Sequence, residues 1–180
     1  MMGEVGCLAM APGLYPKLPY DPTRDFAPIT LVARTPLLVT VRTDSPMKSL
    51  ADLIAQARSS PGKLNYPSSG TGGPNHLAGE LFNMQADVKT VHVPYKGGGP
   101  AVLSLVTGDT DFGLLSAVTI NAQLQGGGVR TLAVASEQRL PSMPSVPTMA
   151  EAGLAGFEAE TWFMLVAPAG TPVSIIDAPP

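Results

Sequence analysis

The residues best suited to chemistry in this chain are Ser68, Ser69, Gly70, Thr71, Gly72 and Gly73, followed at once by Pro74, Asn75 and His76. The small residues leave a run of amide N–H groups uncovered by side chains. Pro74 suits the first turn of a helix, where its missing N–H would lack a partner in any case. A bare turn feeding a helix N-terminus gathers several N–H donors and the positive end of the helix dipole, which suits an anion. The turn fits neither common phosphate-binding pattern. A dinucleotide fingerprint needs a third glycine where Asn75 stands, and an acid about twenty residues on, where Val91 and His92 stand. A P-loop needs Gly-Lys-Ser/Thr where this chain has Gly73-Pro74-Asn75, and Lys96 precedes its glycines instead of following them. Taken alone, the turn leaves open an anion site and a turn that is glycine-rich only for steric reasons.

Other chemistry-bearing residues are sparse. His76 and Glu80 stand four apart, a metal-ligand spacing, but two ligands make no zinc site and no third is evident. Ser68 and Ser69 lack a Gly-x-Ser-x-Gly elbow, and neither histidine is placed as an obvious base. His92 is expected on the outward face of its strand. His76 reads either as a solvated helix histidine or as a polar lip on a cleft. Tyr95, Lys96, Gly97 and Ser116 lie in two further turns of the same kind.

The elements that position these residues alternate. Strands are expected at Ile29–Arg34, Leu37–Val41 (with Pro36 breaking between them), Leu64–Tyr66, Thr90–Tyr95, Asp111–Leu115, Thr131–Ala135 and Thr161–Val166. Helices are expected at Ser49–Arg58, capped by Ser49 with Asp52, then from Pro74 with Leu77, Leu81 and Phe82 on one face. Further helices follow at Ala101–Val106, Val118–Leu124 and Thr148–Gly153, with one beginning at Val173. Gly3–Leu8 reads as the tail of a strand, and Leu14–Asp25 as a proline-punctuated loop. This alternation predicts an α/β sheet, mostly parallel, with ligands at the carboxyl ends of its strands. The turns after Tyr66, Tyr95 and Leu115 then fall on one edge. That convergence favours the anion site over the plain turn.

Composition agrees with a well-cored protein. Hydrophobic residues make up 44% and charged residues only 14% of 180, and the net charge of −3 supplies no basic field for nucleic acid. No apolar run reaches the length of a membrane span, and Met1–Met10 has no positive region and no clean apolar core of a secretion signal. Cys7 is the single cysteine, so no internal disulfide forms.

Several collinear blocks carry a resemblance. They are Leu14-Tyr-Pro-Lys-Leu-Pro-Tyr-Asp-Pro22, Asp25-Phe-Ala-Pro-Ile29, Gly62-Lys-Leu-Asn-Tyr-Pro-Ser-Ser-Gly70, His76-Leu-Ala-Gly-Glu-Leu-Phe82, His92-Val-Pro-Tyr-Lys-Gly97, Leu132-Ala-Val-Ala-Ser136, Pro144-Ser-Val-Pro-Thr148, Glu151-Ala-Gly153, and Trp162 with Ala167-Pro-Ala-Gly-Thr-Pro172. From Leu14 to Pro172 the chain resembles the substrate-binding proteins of tripartite tricarboxylate transporters, the Bug-type periplasmic solute receptors. The resemblance implies a type II periplasmic-binding-protein-like α/β fold with one complete lobe and part of the other. It divides the chain into 1–35, a partial first lobe and crossing strand; 36–129, a complete second lobe; and 130–180, the return crossing and more of the first lobe. The crossings would be Ile29–Arg34 and Thr131–Ala135. It implies capture of a small carboxylate by backbone amides of glycine-rich turns, in the periplasm, for membrane transporter subunits, with no cofactor, metal or catalysis. The residues it assigns to the ligand are Ser68, Ser69, Gly70, Thr71, Gly72, Gly73, His76, Tyr95, Lys96, Gly97 and Ser116. The family's first strand with its own ligand turn would lie upstream of Met1, and its last helices beyond Asp177, so self-association of the chain is expected. Many relatives carry Asp-Asn where this chain has Leu115-Ser116, which implies a less polar wall at the distal end of the ligand. An enzyme that uses the same turns as an oxyanion or phosphate site, and a remnant with little binding, remain as alternatives.

Overall fold

The computed structural model describes residues 1–177. The chain forms two compact units: Thr35–Glu160, and Met1–Arg34 together with the chain from Thr161 onward.

The larger unit is built on the second half of a long strand, β2 (Phe26–Arg42). After it come α2 (Leu50–Ser59), β3 (Asn65–Ser68), α3 (Pro74–Ala86), β4 (Val91–Pro94), α4 (Gly98–Thr107), β5 (Phe112–Ser116), α5 (Ala117–Gln125) and β6 (Val129–Val134). β2 pairs with β5 on one side and β6 on the other, with Val39 opposite Leu114 and Ala133. β3 and β4 pair in parallel, Tyr66 beside His92. β3 is tied to the start of β5 through Asp111 N–H to Asn65 O, 3.1 Å, and Asn65 N–H to Asp111 Oδ2, 2.8 Å.

Alternation along the strands sorts the core. Leu37, Val39, Val41, Tyr66, Phe112 and Leu114 pack against α2 and α3, whereas Leu38, Leu115 and Val134 pack against α4 and α5. Helices therefore cover both faces, which explains why Leu37, Leu38, Val39 and Val41 are all buried, and the one polar residue among them, Thr40, donates its hydroxyl to Gly113 O at 3.2 Å. Ser49 and Asp52 form the expected capping box on α2. On α3 the buried stripe is Asn75, Ala78, Gly79, Phe82 and Ala86. Leu77 and Leu81, expected on one face with Phe82, are only partly buried. Gly79 is set by packing, because a Cβ there would overlap the Tyr66 ring.

Other expectations are corrected. β2 runs through Pro36, since a proline removes one N–H yet keeps an extended φ, and Leu37 N–H bonds to Ala159 O at 2.8 Å. The strands do not form one parallel sheet: β3 and β4 make a parallel pair of their own, and β2 is antiparallel to both β5 and β6, because α2 and the turn after it return the chain to the edge where β2 ends. Thr148–Gly153 is a series of turns, not a helix. Thr148 and Glu151 cap each other, but Gly153 at φ +100° stops the coil. The larger unit extends to Glu160, past the expected limit at 129, and Thr131–Ala135 lies inside it. The reason is pairing: β6 bonds to β2, Val134 bridges to Thr148, and Ala159 N–H reaches Ala135 O at 3.1 Å.

In the smaller unit, β1 (Met2–Glu4) pairs antiparallel with β7 (Glu160–Pro168), Gly3 opposite Met164. The strand expected over Gly3–Leu8 ends at Glu4, and Gly6–Met10 coils into a π-helical turn that leads to α1 (Ala11–Leu14). Leu, Ala and Met are good helix formers, which fits that coil. Val173–Ile176 forms the short α6.

Candidate functional site

The three strand-to-helix turns meet at one edge of the larger unit, as their positions predicted. Gly97 N–H donates to Ser69 O at 3.1 Å and Tyr95 N–H to Ser68 O at 3.0 Å, which joins the β3–α3 and β4–α4 turns. A Cβ on Gly98 would sit 2.8 Å from Thr119 Cγ2, so the starts of α4 and α5 are also in contact. Asn75 fastens the first turn to β5: its Nδ2 donates to Leu114 O at 2.6 Å and its Oδ1 accepts from Ser69 Oγ at 3.0 Å.

Within the first turn the donors divide into two sets. Gly70 N–H goes to Ser68 Oγ (3.1 Å), Gly72 N–H to His76 Nδ1 (3.1 Å) and Gly73 N–H to Gly70 O (3.3 Å). The N-cap of α3 is Gly73, which has no side chain to offer, so Asn75 and His76 N–H are left to an external acceptor. α4 likewise starts from an uncapped Gly97 at φ +106°. Gly70 and Gly72, at φ +147° and +81°, hold conformations that side-chain-bearing residues rarely adopt. The edge thus offers two uncapped helix starts beside a turn whose shape is held by its own bonds.

The predicted site residues separate accordingly. Thr71 and Lys96 are exposed, and Ser69, Gly70, Gly72, Gly73, His76, Tyr95 and Gly97 are partly buried. Tyr95 packs its ring on the α4–α5 core. Ser68 is fully buried and works from beneath, its Oγ bonded to Gly70 O at 3.0 Å and to His92 Nε2 at 2.6 Å. Ser116 caps α5, with Oγ bonded to Thr119 N–H and Thr119 Oγ1. Leu115, expected to form a ligand wall, is 1% exposed and belongs to the core.

His92 departs most from expectation. It faces inward, 3.9 Å between ring centroids from His76 and 5.3 Å from Tyr66, while Val91 takes the exposed position. Burial, then the nearby His76, hold the His92 imidazole below the usual histidine range. Tyr66 OH donates to Glu80 Oε1 at 2.6 Å, and burial, then that carboxylate, push its phenol above the usual range. Asn75 and this inner cluster were not foreseen. The available signal for Asn75 was a polar residue in register with Ala78 and Phe82 on the buried face of α3. Among the described residues, no three His, Cys, Asp or Glu side chains gather as a metal site. A separate groove of about 1140 Å³, lined by residues including Lys48, Leu124, Arg130 and Met143, meets the third turn only at Ala117 and contains none of the residues assigned to the ligand.

Comparison with known proteins places this geometry. In sequence, the chain is 43% identical over 164 residues to the UPF0065 protein in the tcbD-tcbE intergenic region of Pseudomonas sp. strain P51, covering 91% of this chain and 49% of that protein. It is 35% identical to protein BugT of Bordetella pertussis, covering 94% of this chain and 52% of that protein. The chain spans about half the length of these curated relatives. In structure, it superposes on R. palustris Rpa4515 with adipate at a TM-score of 0.94 and 38% identity, covering 97% of this chain and 58% of that one. MatC (Rpa3494) from Rhodopseudomonas palustris with bound malate gives a TM-score of 0.89 at 35% identity, with coverage of 97% and 60%. It also superposes on periplasmic binding protein BugD at a TM-score of 0.90 and 32% identity, covering 98% of this chain and 58% of that one, so the α/β fold is that of periplasmic binding proteins. The family model for the tripartite tricarboxylate transporter family receptor (TctC) matches residues 2–178, nearly the whole chain, and the chain belongs to that family.

Proposed function

We propose that the chain carries the carboxylate-binding edge of an extracytoplasmic solute receptor that works in the periplasm and delivers a small di- or tricarboxylate to the membrane subunits of a tripartite tricarboxylate transporter. The observation that carries this reading is the convergence of the three turns, with uncapped N–H groups at the starts of α3 and α4. The adipate and malate in the two superposed structures support a carboxylate as the ligand class. Ser68, which lies beside His92, is buried and bonded to Gly70, an arrangement that serves the turn and keeps its hydroxyl from solvent.

The energetics set a scale. A hydrogen bond to a charged group contributes about 1.5–3 kcal/mol, and the helix dipole at most about 2 kcal/mol. Association costs at least about 4 kcal/mol in lost freedom. With two such hydrogen bonds at their upper value the surplus is about 4 kcal/mol, so this edge alone should hold a dicarboxylate no more tightly than the millimolar range. Titration of malate, adipate and citrate followed by amide NMR tests the reading. Shifts centred on Ser69, Thr71, Asn75 and His76 are expected. Shifts confined to another region would refute the site, and turnover of an acyl or phosphoryl ester would favour an enzyme.

A further inference from the structure

The chain has two histidines, and they stack on each other beneath the turn. We propose that His76 and His92 are positioning residues that make ligand capture dependent on protonation: the neutral pair holds the β3–α3 turn in shape, and a proton on His76 releases it. The inference rests on the binding reading above.

The bonding fixes the neutral state. His76 Nδ1 accepts from Gly72 N–H, so its ring proton lies on Nε2. The Ser68 hydroxyl has one proton. When that proton goes to Gly70 O, Oγ accepts from both Gly70 N–H and His92 Nε2–H, and every contact among these groups is satisfied. Gly70 and Gly72, the two glycines at positive φ in the turn, are thus each held by a side-chain bond that leads to one of the stacked rings.

A second proton on His76 must go to Nδ1. That nitrogen then becomes a donor facing the Gly72 N–H, and the bond is lost. The cation is drawn the other way, because Glu80 Oε1 lies 4.0 Å from His76 Nε2. The titratable groups facing the pair are Glu80 from α3 and Tyr66 from β3, with β4 supplying His92 itself. Ring centroids 3.9 Å apart set any charge on His76 directly against the His92 ring. Proton uptake therefore exchanges a bond that shapes the turn for an ion pair on the far side of the ring.

The test is amide and histidine-ring NMR on the whole chain, with malate as probe, between about pH 8 and about pH 6, where malate stays mostly a dianion. The Gly72 amide is expected to shift in step with the His76 ring in the absence of malate. Malate affinity should fall from the higher to the lower pH, by at most about tenfold per pH unit, the limit for one linked proton. In the His76→Asn variant, Oδ1 can accept from Gly72 but does not titrate. Whatever its absolute affinity, the ratio between the two pH values should be close to one. If malate moves the Ser69–Gly73 amides but binds equally at both pH values, or if His76→Asn keeps the parent slope, the coupling is wrong and the site stands. If malate moves only amides elsewhere, the site and the coupling both fall.

Discussion

The Ser69 carbonyl accepts the Gly97 N–H at 3.1 Å, so the two glycine turns at this edge are one hydrogen-bonded assembly. Gly97 sits at φ +106° and ψ 172°, a region close to glycine-only, although a Cβ there would meet nothing within 4 Å. Strain, not crowding, therefore sets the effect of substitution. Gly97→Ala is expected to cost about 1–3 kcal/mol, and any relaxation pulls the amide from Ser69. Denaturant unfolding and malate titration should both report the loss.

Ser68→Ala removes a buried hydroxyl that serves Gly70 N–H, Gly70 O and His92 Nε2 at once. Leaving such buried groups unpaired costs about 1–3 kcal/mol. The variant should unfold at lower urea concentration and lose carboxylate binding, even though its side chain is closed to solvent. Thr71→Ala, at an exposed position of the same turn, should change stability by less than about 0.5 kcal/mol.

Gly79→Ala tests how α3 is seated. The added methyl overlaps the Tyr66 ring, and the ring has little freedom because its hydroxyl is held by Glu80 at 2.6 Å. Overpacking of this kind costs about 1–3 kcal/mol. The urea midpoint should fall, with the slope of the transition unchanged.

Stability should also depend on pH through His92. Its pKa in the folded state is depressed, by burial first and then by His76. The unfolded chain thus binds the proton more readily. The contribution of the neutral ring is complete above the unfolded histidine value of about 6.5 and is lost as pH falls from there through the folded value. Unfolding midpoints measured at about pH 7.5 and about pH 5.5 should decline in the parent, and decline less in His92→Gln.

The first half of β2 presents Ile29, Leu31 and Val32 at 42–49% exposure within the smaller unit. Exposed apolar strand invites pairing with another copy. Sedimentation should show concentration-dependent association that weakens in Leu31→Lys. A strictly monomeric chain at high concentration would remove this expectation.

Much of the candidate site's backbone geometry was legible in the sequence because its cues are local. The Ser49–Asp52 capping box, Pro74 at the first turn of α3 and the glycines of Gly70–Gly73 act within a few residues of themselves, through backbone sterics and nearest-turn hydrogen bonds. The collinear motifs carried the family in the same way, and the alternation of strand and helix was enough to bring three turns to one edge. The tertiary structure alone decided which side of each element is covered. His92 alternates with Val91 and Val93 as read, but the side that faces inward is the one on which α3 lays His76, and periodicity cannot tell one covered face from the other. The same holds for Gly79 against Tyr66, thirteen residues apart, and for Asn75 reaching Leu114 across 39 positions. Strand direction followed the same rule, since β2 is antiparallel to β5 and β6 because of where intervening chain returns it, not because of any residue in β2. Local chemistry specifies which residues leave their amides bare; only packing between distant segments decides which of them support the turn from below and which lie at its surface.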